Sequence, residues 1–252
     1  MHVSVIGHSD SMGLLLRPGE ESWPVLLQNG LTAALNEPAQ VDSWRFAPYG
    51  PRAVSFAIDK VVAAQPDVVI LPVASYWCAF GRVANRVRQR YGERAERWYL
   101  RAENGFVAHA ERDKGPGKPT NTRSRRFVRK VIGVAAYAGQ DEVTEVYATI
   151  VRRLAQQEHL QMIVMRDHRF TPAVRAANPT IDSTLAHFDA VIRPIADTHL
   201  FAWADIEEAL NNGGRRDEMI ISDGVHVTAE GHARVAAMLL PVLREITEPT
   251  PA

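Results

Sequence analysis

Short apolar runs alternate along this chain with stretches in which apolar residues recur every three or four positions. Val3-Ser4-Val5-Ile6 is the first run and reads as a strand, closed by a turn over Gly7 to Ser11. Residues 22–36 carry Val25, Leu26, Leu27, Leu31 and Leu35 at helical spacing. Gln40 to Phe46 alternates like a half-buried second strand, and residues 52–65 set Val54, Ala57, Ile58, Val61 and Val62 on one helical face. Pro66-Asp67 then introduces Val68-Val69-Ile70-Leu71, a continuous apolar run typical of strands covered on both faces. The same reading predicts a helix over 142–157, a buried strand over 160–165, a helix over 183–195 and a last strand over 199–203. Thr228 is placed to N-cap a final helix through Ala233, Val235, Met238, Leu239 and Val242. Strands alternating with helices predict an α/β fold with a parallel, doubly wound sheet. Such sheets bind ligands beyond the carboxyl ends of their strands, so the residues that follow strands are the ones to weigh for chemistry.

Residues 82–130 break the rhythm. They hold 15 Lys and Arg against 5 Asp and Glu, a surplus of ten positive charges. The whole chain balances 29 basic against 29 acidic residues, so the remainder carries a matching surplus of ten negative charges. Residues 82–101 predict a helix, and Lys114 to Thr122, with two glycines and two prolines, predicts a loop. We read 82–130 as an insertion after the third strand of a single domain spanning 1–252. It is expected to rise over the active edge of the sheet as a lid, where positive charge would concentrate an anionic partner.

Composition narrows the setting. With 252 residues, 46% of them hydrophobic, the chain can bury a large core without staples. Cys78 is the only cysteine, which excludes an intramolecular disulfide, leaves too few thiols for a Cys-based zinc site and suggests a reducing, cytoplasmic setting. No apolar run approaches the roughly 20 residues of a membrane helix, and Met1 to Ile6 has no secretory pattern. The zero formal charge excludes a uniformly basic nucleic-acid binder. Neither a nucleic-acid partner, a membrane, a metal nor a cofactor is expected; His8 and Asp10 read better as turn residues than as ligands.

The candidate chemistry lies at the two ends of the chain. Gly7-His8-Ser9-Asp10-Ser11 follows the first strand, and Asp223-Gly224-Val225-His226 precedes the last helix. A serine hydroxyl is a poor nucleophile unless an imidazole takes its proton and a carboxylate orients that imidazole. Asp223 and His226 on one short loop supply both groups. A nucleophile at a strand end can also draw on backbone N–H donors for the oxyanion.

This pair of motifs resembles the SGNH (GDSL-type) hydrolase family. Val5-Ile6-Gly7-His8-Ser9 is similar to its first block, V-I-G-D-S, and residues 223–232 resemble its last, D-G-x-H-x-x-x-x-G-H. The resemblance implies a three-layer, flavodoxin-like α/β fold with a five-stranded parallel sheet. It implies Ser9 as nucleophile, His226 as base and Asp223 as its carboxylate, with the N–H groups of Ser9 and Gly50 as oxyanion donors. Two positions depart from the pattern. His8 stands where the family has Asp. The third block, G-x-N-D, falls on Ala74-Ser75-Tyr76-Trp77, so Tyr76 occupies the place of the asparagine whose amide completes the oxyanion hole, with Ser75 as a second substitute. His8, Trp77 and Arg169 are candidate substrate-binding residues.

The expected function is an acyl-serine esterase or deacylase acting on a small or anionic ester or acyl thioester. The alternatives are an acyltransferase on the same triad and a binding module whose site has decayed, with a cationic docking surface. Oligomeric state is left open.

Overall fold

Val3, Val5 and Ile6 are fully buried in the first of five parallel strands, with Ser4 enclosed among them. The computed structural model describes residues 1–112, 131–168, 170–211 and 213–247. Strands β1 (His2–Gly7), β2 (Gln40–Arg45), β3 (Val68–Val73), β4 (Gln161–Arg166) and β5 (Ala202–Asp205) lie in the order β2-β1-β3-β4-β5. Every pairing is parallel. β3, apolar at all six positions, is buried throughout because it sits at the centre with helices over both faces. This is the doubly wound sheet expected from the alternation of runs, in the three layers that the family resemblance implied.

The chain divides into two compact units. The first comprises Met1–Tyr76 and Gln140–Ala252 and contains the whole sheet. Helices α1 (Trp23–Leu35) and α9 (Ala229–Thr247) pack together over one face, burying Leu27, Leu31, Leu239 and Leu243 against Val3, Val5 and Ile163. Over the other face lie α2 (Ala53–Ala64), α5 (Gln140–Leu154) and α7 (Ile181–Thr198), which bury Tyr147, Ile150, Phe188 and Ile192. Shorter helices α3 (Tyr76–Ala79), α6 (Pro172–Ala177) and α8 (Ile206–Asn211) join these elements.

Local chemistry sets the boundaries. The Thr228 hydroxyl accepts the Gly231 N–H at 3.2 Å, the N-cap expected for α9. Asp141 and Glu142 open α5 and Arg152 and Arg153 close it, matching the helix dipole at both ends. The last strand begins later than the apolar run His199–Trp203 suggested. The Phe201 N–H returns to the Ala196 carbonyl at 3.0 Å and Leu200 is left-handed, so His199 to Phe201 close α7 before β5 starts.

The second unit is Trp77–Gly139. Its helix α4 (Val83–Arg112) is interrupted at Gly92, whose φ of 82° is not helical. Val83, Ala84 and Val87 are buried, and Arg82 pairs as an antiparallel bridge with Ala135. The Asn85 side-chain N–H donates to the same Ala135 carbonyl at 3.1 Å, and Arg88 to that of Tyr137 at 2.9 Å. The predicted loop over 114–122 lies outside the described residues. No described helix is long and apolar enough to cross a membrane.

Candidate active site

β1 ends at Gly7, where a side chain would have no room: a Cβ there would lie 2.0 Å from the Ser11 hydroxyl. The chain folds back over itself and turns repeatedly through residues 9–15. The Met12 N–H lies 3.2 Å from both the His8 and Ser9 carbonyls, and the Leu14 N–H donates to Ser9 O at 3.0 Å. The Ser9 N–H meets no acceptor among the described residues.

The second half of the site is a small antiparallel ladder. Ile220 bridges Val227, the Ile221 N–H donates to the His226 carbonyl at 2.9 Å, and the Gly224 N–H to Ile221 O at 2.9 Å. Gly224 has φ 76°, and a Cβ there would lie 2.4 Å from the Thr171 hydroxyl and 2.5 Å from Val174 Cγ2. Only glycine meets both demands. The tight turn aims Asp223 and His226 to one side, opposite Ser9.

Three side chains therefore meet although two lie 217 positions apart in the chain. His226 Nε2 is 2.9 Å from Ser9 Oγ, and His226 Nδ1 is 2.6 Å from Asp223 Oδ2. The other carboxylate oxygen of Asp223 accepts the N–H groups of Val225 and His226 at 2.9 and 3.0 Å. Burial alone would raise the Asp223 carboxyl, but hydrogen bonds from the His226 ring and these two amides outweigh it and hold it below its usual range. Burial likewise would lower His226; its bond to Asp223 and the charges of Asp10 and Asp223 raise it instead. With Nδ1–H given to the carboxylate, Nε2 is left to take a proton from Ser9.

Behind these groups lies a buried polar layer whose contacts pattern reading did not assign. The backbone is gripped on either side of His226. His168 Nε2–H donates to the Val225 carbonyl at 2.8 Å, and Asp10 Oδ1 lies 3.5 Å from the Val227 N–H. The Thr171 N–H adds a bond to Gly224 O at 3.3 Å. Burial raises the Asp10 carboxyl to about 6, against the pull of His226 and His168. It is therefore still ionised at neutral pH, as a second negative charge near the imidazole. Burial also raises Asp167, whose carboxylate accepts the Ser75 N–H and hydroxyl, both at 3.1 Å, and the His168 N–H at 3.0 Å. His8 is buried, and burial together with the neighbouring His168, His226 and His232 lowers it to about 3, so it is neutral. Its ring stands edge-on to Tyr76 with centroids 5.7 Å apart. Further back, His232 Nδ1 accepts the Trp23 N–H at 3.2 Å and so satisfies a free donor at the start of α1. Among the described residues no group of three His, Cys, Asp or Glu is arranged to hold a metal.

Several expected site residues have other employment. Ser75 is fully buried and commits both its donors to Asp167, which removes it as an oxyanion donor. The Gly50 N–H points at the Glu142 carboxylate, 3.2 Å away, so Gly50 is not a free donor in this structure. Trp77 belongs to the second unit, where it is buried edge-on to Tyr137 at 4.9 Å, a packing role rather than a pocket wall. His8, a candidate substrate-binding residue, is buried with its ring edge-on to Tyr76. Arg169 lies outside the described residues. Asp167 and His168, which follow β4 and precede Arg169, are both buried.

No family model and no curated protein matches the sequence. Solved structures do match the fold. LAE5, an alpha/beta hydrolase enzyme from the metagenome of Lake Arreo, Spain, aligns with a TM-score of 0.58 at 14% identity, over 98% of this chain and 96% of its own. TesA aligns with a TM-score of 0.57 at 14% identity, over 98% and 99%. Axe2, an acetylxylan esterase from Geobacillus stearothermophilus, aligns with a TM-score of 0.57 at 14% identity, over 98% and 94%. The chain thus has the α/β fold that the SGNH (GDSL-type) resemblance implied, over nearly its whole length.

Proposed function

We propose that this protein is a serine ester hydrolase that works through an acyl-Ser9 intermediate. The observation that carries this reading is the relay from Ser9 Oγ to His226 Nε2 (2.9 Å) and from His226 Nδ1 to Asp223 (2.6 Å). Ser9 Oγ attacks the ester carbonyl as its proton passes to His226 Nε2. The bond to the alcohol breaks, and the same proton goes to the departing oxygen. A water then attacks the acyl carbon, its proton moves through His226 to Ser9 Oγ, and the acid is released. Asp223 holds the imidazole in the required tautomer and offsets its charge. The uncommitted N–H of Ser9 is the first oxyanion donor. The Tyr76 hydroxyl, from the first residue of α3 just after β3, is the second, in the place of the family's asparagine. The surplus of ten positive charges over 82–130 favours an anionic ester or acyl thioester.

Purified protein should hydrolyse activated esters, and Ser9→Ala should abolish the reaction. Wild type and Ser9→Ala hydrolysing at the same rate would overturn the reading in favour of a decayed binding module. Rates on anionic esters should fall with added salt while those on neutral esters stay level; equal behaviour would remove the anionic preference.

A further inference from the structure

The segment just after the nucleophile is apolar where the surface should be polar. Met12, Leu14 and Leu15 are 43%, 44% and 61% exposed, and all lie within six residues of Ser9. They are not a loose loop. The Leu14 N–H is fastened to the Ser9 carbonyl at 3.0 Å, and the Leu16 N–H to Gly13 O at 3.3 Å. The far side is closed by Arg17, whose N–H donates to the Glu20 carboxylate at 2.8 Å, so no charge falls between Asp10 and Arg17.

Backbone conformation separates this turn from the rest of the molecule. Four non-glycine residues have positive φ among those described: Leu15 (75°), Asn36 (53°), Gln65 (48°) and Leu200 (56°). Asn36 and Gln65 are the C-caps of α1 and α2, and Leu200 follows the C-terminus of α7. A left-handed residue is the ordinary way to end a helix. Leu15 ends no helix. A leucine there is strained and its side chain stands in water, a combination that costs stability and has no packing return. Glycine or asparagine would suit the position better on both counts.

We infer that the 12–15 turn is the acyl-binding lip of the Ser9 site, and that the ester this protein takes carries an apolar acyl chain. The inference rests on the serine ester hydrolase reading above and names its substrate class. An acyl group whose carbonyl carbon is at Ser9 Oγ has its chain beside the turn that Ser9 begins. Each methylene that leaves water there contributes about fourfold to binding.

The test compares kcat/KM for p-nitrophenyl octanoate and p-nitrophenyl acetate. Wild type should prefer octanoate by at least about tenfold. Leu15→Asn should lower that octanoate-to-acetate ratio about tenfold without lowering Tm, because asparagine tolerates the left-handed backbone. Leu15→Met should keep the ratio. Leu200→Asn makes the same change at a left-handed, 89% exposed leucine that precedes β5, and should also keep it. A wild-type ratio near one, a ratio unchanged in Leu15→Asn, or an equal fall in Leu200→Asn would overturn the inference while leaving the hydrolase reading in place. Failure of wild type to turn over either ester would overturn the hydrolase reading, and the acyl lip with it.

Discussion

The turns after β1 and after β3 are neighbours at the sheet's switch point, yet they are built in opposite ways. After β1, the reactive group is left uncommitted among the described residues: there Ser9 Oγ meets only the imidazole, and its N–H meets no acceptor. After β3, polarity is consumed. Ser75 gives its N–H and its hydroxyl to Asp167, and that carboxylate also takes the His168 N–H. A serine at a strand end is thus not a functional residue by position alone. What separates Ser9 from Ser75 is whether a buried carboxylate or an imidazole stands opposite. The difference also divides the work: the β1 turn and the 220–228 ladder bring Ser9, His226 and Asp223 together, while the β3 turn ties β4 to the back of the site.

This contrast can be broken by substitution. The largest effect is expected from Ser9→Ala, with kcat/KM falling by about 10⁴-fold or more in ester hydrolysis, since the nucleophile itself is gone. Asp223→Asn keeps the shape but favours the wrong imidazole tautomer, and kcat should fall by about 10³- to 10⁴-fold with KM little changed. Tyr76→Phe should cost about 10²-fold in kcat, as expected for losing one oxyanion donor. Ser75→Ala should behave differently. It removes the hydroxyl bond to a buried carboxylate and leaves only the backbone N–H of that pair, so it should lower stability by about 1–3 kcal/mol in denaturant unfolding while changing kcat far less than Tyr76→Phe. If Ser75→Ala slowed the reaction more than Tyr76→Phe, the assignment of the two roles would be reversed.

The smallest effect is electrostatic. Catalysis needs His226 neutral, and His226 is raised above its ordinary value of 6.5, so kcat/KM should rise with pH along a limb centred above 6.5. Asp10 is one of the charges that raise it. Asp10→Asn keeps an acceptor for the Val227 N–H but removes that charge. The imidazolium then loses support, its pKa falls, and the limb should move to lower pH. A limb that stays in place, measured on the same ester, would remove Asp10 from the electrostatics of the site.

The order of strands and helices was legible because each buried run or helical stripe is a local pattern. The strand over 68–71 and the helix capped by Thr228 are written in consecutive residues. So was the meeting of Ser9, Asp223 and His226, because the family resemblance rests on two short blocks. The polar layer behind them was not legible. Ser75 and Asp167 meet across 92 positions, and His168 and Val225 across 57; no periodicity marks such contacts. Met165 to Arg169 reads as polar and hence solvated, whereas Asp167 and His168 are buried because each finds a partner. The shift of β5 had a different cause: Leu200 is apolar enough to suggest a strand but is spent on closing α7.

The central claim is that Ser9, and no other serine, is the nucleophile. Treating the protein with a fluorophosphonate and mapping the adduct by peptide mass spectrometry tests it directly. A single phosphonylated residue at Ser9, absent when the histidine is changed by His226→Ala, is the predicted result. Labelling at Ser75 or Ser11, or no adduct in folded wild-type protein, would contradict it.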